Sequence, residues 1–371
     1  MGITVEPVAS PKGMRQFIEY PSVLYADHPL FVPHLLGERR QFFSAANPIF
    51  AFIEVEYFLA RDDAGRVRGR ITAHVNRRHN EFWGEKTGFF GFFDAEEDYD
   101  VSGALLEVAE RWLGHRGMER IRGPMNFSTN EECGILVQGF DRAPGFMMPY
   151  NERYYAELMR RSGYLKAKDL LAYEYTYTGR IPERLVRLCE RTRERSAVVV
   201  RPVRMDAFQE DVGKAFAVYN RAWEKNWGFV PMTEEQFAFM ARQLKDVVDP
   251  AVALIAEADG EPVGFSLALP DYGPLLRKMK GRLFPFGFLV FLLGRRRVHS
   301  VRVLTMGVVP EHRRKGVDVL LIHDTFARGV EAGYYEGEFS WILEDNDLMI
   351  RALEKMGARP TKVYRIYEKA L

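Results

Sequence analysis

The stretch Val301 to Asp318, VRVLTMGVVPEHRRKGVD, constrains this chain more than any other. Val301, Val303 and Leu304 read as a β-strand that Met306-Gly307-Val308-Val309 continue. Pro310, with no N–H to donate, ends the ladder. After Glu-His-Arg-Arg-Lys-Gly a helical period begins, with Val317, Leu320, Leu321, Ala327 and Val330 on one face. Strand, basic glycine-containing loop and helix together make a device for holding phosphate. Loop N–H groups and the positive end of the helix dipole converge on one spot, where Arg313, Arg314 and Lys315 add charge. The competing reading of the same residues is a basic turn that is merely solvated.

Other function classes are poorly supplied. With 52 basic against 51 acidic residues the net charge is +1, which gives no electrostatic case for nucleic acid. Cys133 and Cys189 stand far apart without a CxxC, which fits a reducing cytosol and excludes a cysteine-based zinc site; no metal is expected. The eight histidines form no HExxH, and neither a serine elbow nor a nucleotide GxGxxG accompanies them. The opening MGITVEPVASPKG lacks a basic segment followed by an apolar one, so a cytoplasmic protein is expected. A length of 371 residues suggests about two domains.

In chain order, 3–8 reads as a strand and a helix follows to about Ala26. The segment 28–50, with three prolines and many aromatics, reads as an irregular packed connection. Strands are expected at 54–61, 67–76, 87–93 and 120–124, a helix at 101–115, a helix at 151–162 and a closing strand at 167–178. The polar run 126–138 resists assignment. A basic, helical stretch near 182–195 then links to a second half with the same order of elements. It has strands at 197–203, 251–258, 262–269, 301–309, 337–343 and 363–368, and helices at 206–225, 233–245, 317–332 and 347–356. Gly117 and Gly333 end equivalent helices, so the halves read as an internal repeat. That alignment sets Glu96, Glu97, Asp98 and Asp100 of the first half against the Arg/Lys loop of the second. Carboxylates there would repel a diphosphate.

The order of elements, with Arg313-x-x-Gly316-x-Asp318 after a V-x-P-like strand end, resembles the GCN5-related N-acetyltransferase (GNAT) superfamily, whose pyrophosphate loop is R/Q-x-x-G-x-G/A. The resemblance implies an α+β (mixed α/β) fold of two tandem GNAT-like domains, each a mixed, mostly antiparallel sheet flanked by helices. Residues 1–180 would form a unit lacking the cofactor loop, 181–196 a linker helix, and 197–371 a unit with an acyl-CoA site that, if soluble alone, should bind the cofactor. It further implies transfer of an acetyl or longer acyl group from acetyl-CoA or another acyl-CoA directly to an amine. A strand bulge near Gly307 to Val309 would polarise the thioester carbonyl. Met306, Gly307, Val308, Val309, Arg313, Arg314, Lys315, Gly316, Val317, Asp318 and Asn346 would hold the cofactor, Asn346 against its pantetheine arm. Asn346 is equally an N-cap for its helix. Asp318 stands where the family has Gly or Ala, and Leu353 where it has an acid tyrosine; Tyr364 and Tyr367 are the substitutes the sequence offers.

For the acceptor, a small-molecule amine or a peptide N-terminus, the loop after 120–124 is the best-supplied stretch. Glu132 is the expected base, with Asn126, Asn130, Tyr150, Asn151, Tyr154 and Tyr155 as lining. An ordinary polar turn followed by a helix cap is the competing reading. Two alternatives stay open: an aminoacyl transferase of the tandem-GNAT type, and a non-catalytic ligand-binding or regulatory protein on the same frame. A monomer or homodimer is expected. Finally, Leu283 to Leu293, LFPFGFLVFLL, is the most apolar run and is flanked by basic residues. Eleven residues are about half of what a bilayer span needs. The run reads as an insertion that packs on the body or, more sharply, as a peripheral membrane contact.

Overall fold

Local signals do much of the work of placing elements. The Ser10 side chain accepts from the Gly13 N–H to start the first long helix, and Thr233 with Gln236 forms a reciprocal capping box on another. Gly117, Gly333 and Gly357, at φ 73°, 93° and 92°, let three helices end in the left-handed region. The structure, a computed structural model, describes residues 2–371. Its first half runs β1 (Ile3–Pro7), α1 (Pro11–Leu24), α2 (Leu36–Phe42), β2 (Ile53–Asp62), β3 (Val67–Asn76) and α3 (Arg77–Trp83). It continues through β4 (Thr87–Ala95), α4 (Tyr99–Gly114), β5 (Arg120–Gly123), β6 (Ile135–Gln138), α5 (Tyr155–Arg161) and β7 (Leu165–Thr176). After the linking helix α6 (Glu183–Arg195) come β8 (Val199–Pro202), α7 (Phe208–Trp223), α8 (Glu234–Leu244), β9 (Ala253–Ala258) and β10 (Glu261–Pro270). Then follow α9 (Gly273–Met279), α10 (Gly287–Gly294), β11 (Ser300–Val308), α11 (Val317–Glu331), β12 (Glu336–Leu343), α12 (Asp347–Met356) and β13 (Arg359–Ala370).

All the strands join one 13-stranded sheet, ordered β1-β2-β3-β4-β5-β13-β7-β12-β11-β10-β9-β8, with β6 on β13. The two expected sheets therefore meet edge to edge, and their closing strands are exchanged. β7 pairs antiparallel with β12, Tyr173 opposite Phe339, while β13 runs between β7 and β5 with Tyr367 opposite Gly123. Packing follows the exchange. Tyr173 and Tyr175 lie in a cluster with Ile342, Leu353 and Ala358, whereas Tyr367 joins Phe90, Ile121 and Tyr164 under α4. Leu353 is fully enclosed there, a packing residue where the family's tyrosine would stand.

The exchange bears on whether residues 197–371 are soluble without the first half. Without the first half, β12 loses its β7 partner and β13 loses β5, β6 and β7. Each large side chain returned to water costs about 1.5–3 kcal/mol. Expressed alone, 197–371 is expected to be insoluble, and coexpression with 1–196 to restore soluble protein. A soluble, cooperatively melting 197–371 would contradict this.

The sequence reading also missed α2 and α3, and β6 lies inside the stretch left unassigned.

Candidate active site

Each half contains one parallel strand pair beside its main helix, and both pairs part after a few residues. In the first half β4 and β5 pair only over Thr87–Phe89 and Arg120–Arg122. In the second, β11 and β12 pair only over Ser300–Val303 and Glu336–Phe339. What fills the two gaps differs. In the first, the chain itself enters: Met125 N–H donates to Phe90 O at 2.8 Å, and the Asn126 amide oxygen accepts from Phe92 N–H at 2.7 Å. The fit needs Gly91, where a Cβ would lie 2.0 Å from Met125 O. In the second half the gap opens into a crevice of about 250 Å³, bounded by Leu304, Thr305, Trp341 and Leu343, by α7 and α8, and by α2 and the loop 128–133 of the first half.

One mouth of this gap has the chemistry for a diphosphate. Gly316 precedes α11 at φ 81° and offers no side chain to cap it, so the first-turn N–H groups have no intrahelical acceptor. A Cβ at Gly316 would sit 2.7 Å from Thr192 of α6. The equivalent helix α4 is closed by its own carboxylate, Asp98, which accepts from Asp100 N–H at 3.0 Å, and Arg68 neutralises Glu96 and Asp98. Arg314 and Lys315 are exposed. Arg313, exposed like them, also braces the loop, donating to Ala222 O at 2.5 Å and Val308 O at 3.3 Å. Gly307 allows α7 to approach, since a Cβ would meet Trp223 at 2.3 Å. Asn346 caps α12 by accepting from Met349 N–H at 3.3 Å.

The strand irregularity is not at Gly307–Val309. The pairing of β10 with β11 slips between Leu267 opposite Thr305 and Ala268 opposite Val303, which leaves Leu304 without an antiparallel partner. Leu304 also lies past the last β12 pair, on the crevice wall. Backbone freed at that point is what a polarised carbonyl needs.

Asp318 is exposed in the first turn of α11. Its charge favours the helix but opposes a bound anion. Asp318→Gly is expected to tighten CoA binding by roughly three- to tenfold at low salt, the effect of one screened like charge. Titration calorimetry reads it directly, and weaker binding would show that the carboxylate orients the loop.

At the other end of the crevice three carboxylates and Arg39 meet. Glu132 is committed: Arg39 Nη2 donates to it at 2.9 Å, His34 Nε2 lies at 3.4 Å and the Asn126 amide donates at 3.2 Å. Burial alone would raise its carboxyl, but Arg39, His34 and Asn126 outweigh burial and hold it below the usual range. Burial, then Arg39, lower His34 to about 4, so this partner is a neutral ring at pH 7. Glu131, one residue earlier, lines the same space without a partner of its own. Burial pushes it up to about 8, with Arg39 opposing and Glu132 and Glu38 adding. Tyr219 also lines the crevice, donating to the Asn130 side chain at 2.6 Å, and burial raises its hydroxyl pKa. The sequence reading chose Glu132 and passed over Glu131. A raised carboxyl beside a committed one is a signal only the folded loop provides.

Several expected residues lie elsewhere. Tyr155 is fully buried beneath the first half, donating to Ala95 O, and Tyr154 donates to the same carbonyl at 2.7 Å; both are core. Asn151 is spent on Leu136, accepting from its N–H at 2.7 Å and donating to its O at 3.1 Å. Tyr150 pairs with His28 at 2.6 Å, away from the crevice. Tyr367 packs in the first-half core. Tyr364 is fully enclosed behind Cys133 and Leu170 with its hydroxyl unpartnered, so neither tyrosine reaches the reacting space. Asn126 serves the filled gap and Glu132; Asn130 remains in the lining. Cys189, His323 and Asp324 cluster within 4.8 Å, but Arg193 holds both Asp324 oxygens at 2.6 and 2.8 Å, as an ion pair between α6 and α11.

Fold and site together define an acyltransferase of the tandem GNAT kind, and the chain belongs to the acetyltransferase (GNAT) family, whose profile matches residues 214–358. Over its whole length it is similar to two curated proteins. One is Protein YghO of Escherichia coli K12, 39% identical over 96% of this chain and 93% of that protein. The other is the bacterial ceramide synthase of Caulobacter vibrioides, 36% identical over 100% and 98%. Among solved structures, a tandem GNAT protein from the clavulanic acid biosynthesis pathway aligns with a TM-score of 0.59 at 13% identity, covering 100% of this chain and 98% of that one. A GCN5-related N-acetyltransferase from Sphaerobacter thermophilus aligns with a TM-score of 0.52 at 14% identity, covering 99% and 95%. These two likenesses concern the fold. No described helix is long and apolar enough to cross a membrane.

Proposed function

We propose that this protein moves an acyl group from acyl-CoA directly to the primary amine of a long-chain amino alcohol. In this reading residues 197–371 hold the thioester, 1–180 share the acceptor with α7 and α8 of the second half, and 181–196 link the two. The observation that carries it is the gap between β11 and β12, open in the second half where the first half's equivalent is filled. Its two ends suit the two substrates. The uncapped α11 and the basic loop would take the diphosphate, the splayed strands the pantetheine arm, and backbone at Leu304 the carbonyl oxygen as charge develops there.

Glu131 takes the proton of the attacking ammonium. A base titrating near 8 is matched to that task. Tyr219, which lines the crevice and keeps its proton, is the hydroxyl assigned to the departing thiolate. Much of the remaining acceleration comes from holding amine and thioester together. The lipid acceptor is drawn from the full-length likeness to a ceramide synthase, a ceramide being the amide of a long-chain amino alcohol. The lining supports it, because Phe42, Phe229, Phe239, Met240 and Leu244 are built for chain rather than for charge. A CoA thioester as donor supports a cytoplasmic reaction.

The test is thiol release from acetyl-, palmitoyl- and hydroxyacyl-CoA with a panel of amines, with product masses recorded. Amide formed on sphinganine in preference to amino acids, short amines and peptide N-termini is the expected outcome. Transfer only to short amines would refute the lipid acceptor, and absence of any thiol release would refute acyl transfer.

A further inference from the structure

Between β10 and β11 the chain leaves the sheet for some thirty residues, of which 273–299 contain seven Arg or Lys and no Asp or Glu. Elsewhere in this protein basic residues are mostly matched by carboxylates. Here Lys278, Lys280, Arg282 and Arg295 to Arg297 are exposed, and none of the six pairs with a carboxylate among the described residues. Between the two basic clusters lies α10, GFLVFLLG, apolar on every side. A helix apolar all round belongs in a core or in lipid, and this one is not in a core. Phe284 is 79% exposed, Phe286 72%, Leu292 51% and Leu293 76%. Eight helical residues are far short of a span.

The projection is a built surface rather than a frayed loop. Leu275, Leu276 and Met279 of α9 are buried, Tyr272 packs on Phe291 with ring centres 5.0 Å apart, and Leu36 N–H donates to Gly281 O at 3.0 Å. Gly281 is needed for this seat, since a Cβ there would meet His34 O at 2.3 Å. The segment it rests on leads through His34 to Arg39 and Glu132 at the crevice wall.

We infer that the α9–α10 projection is a membrane-docking element, whose apolar tip enters the acyl boundary of an anionic bilayer while the two basic clusters sit at the headgroups. Charge complementarity selects that occupant: seven cations around an apolar tip suit anionic lipid, and they would repel each other across a contact between two copies. Docking would also set the neighbouring crevice against the surface from which a long-chain amine arrives; this last consequence alone rests on the lipid-acceptor reading.

The test is co-sedimentation of the full chain with vesicles of phosphatidylcholine, with and without about one third phosphatidylglycerol. Binding to the anionic vesicles, weakened by 0.5 M salt, is expected. Phe284→Asp with Leu293→Asp should lower the partition coefficient at least tenfold, and Arg295→Gln with Arg296→Gln and Arg297→Gln should remove most of its salt dependence. Both variants should keep the wild-type melting curve and thiol release with a water-soluble acceptor. Wild-type protein that ignores both vesicles, or a Phe284/Leu293 variant that binds as well as wild type, overturns the inference. So does a lipid-free dimer that the same variant dissolves, which would make the tip a contact between copies. Binding is read without turnover, so its failure leaves acyl transfer standing and the reverse also holds.

Discussion

Replacing Glu131 with Gln is expected to lower kcat for amide formation by ~10²–10⁴-fold and to leave acyl-CoA affinity unchanged. The side chain lines the crevice, whose walls include no residue of the basic loop, so in this account it meets the acceptor and not the diphosphate. The pH profile carries the same claim. A carboxyl held up to about 8 is mostly protonated at pH 7, so its base form, and with it kcat/KM, grows as pH rises through 8. Glu131→Gln should lose that limb while retaining the limb of the amine itself. Stability moves the other way. The folded pKa is raised above the ordinary 4.5, so the group's contribution is full below 4.5 and is lost as pH climbs through about 8. Glu131→Gln should therefore melt higher than wild type at pH 9. An unchanged profile with unchanged kcat would remove Glu131 from the chemistry.

Glu132→Ala should behave in the opposite way, damaging the fold before the reaction. Arg39 and Glu132 are nearly enclosed, their side chains 12% and 10% exposed. Removing one partner leaves the other charge buried and unpaired, at a cost of about 3–5 kcal/mol. Denaturant melts should show that loss, and Arg39→Met combined with Glu132→Leu should recover much of it. If Glu132→Ala folds as well as wild type and only kcat falls, Glu132 is the base after all and the assignments of the adjacent glutamates exchange.

The contrast between 131 and 132 marks where sequence reading stops. Both residues sit in one turn, and which carboxylate meets Arg39 depends on how that turn is held. Phe127, at φ 84°, and the bond from the Phe92 N–H to the Asn126 side chain set it, and neither has a period to read. Regular elements were legible for the reasons that make them regular. The helix at 347–356 and the strand at 67–76 carry clean spacing and turn residues at their ends. Exchange of β7 and β13 was not legible, because either strand offers an apolar face to either sheet and only the joined structure chooses. Tyr154 and Tyr155 misled because a tyrosine buried for its ring looks, in sequence, like one displayed for its hydroxyl. The strand, basic loop and helix around Gly316 were legible, whereas the bulge at Leu304 is a matter of register with β10.

The central claim is that the second half's strand gap is the acyl-CoA site and the first half's is closed. Hydrogen exchange of the intact protein with and without acyl-CoA tests it most directly. The account predicts slowed exchange at 304–309, at the first turn of α11 (316–320) and across 340–346, with 87–100 unchanged. Slowed exchange at 87–100, or none at 304–320 under saturating acyl-CoA, would contradict it.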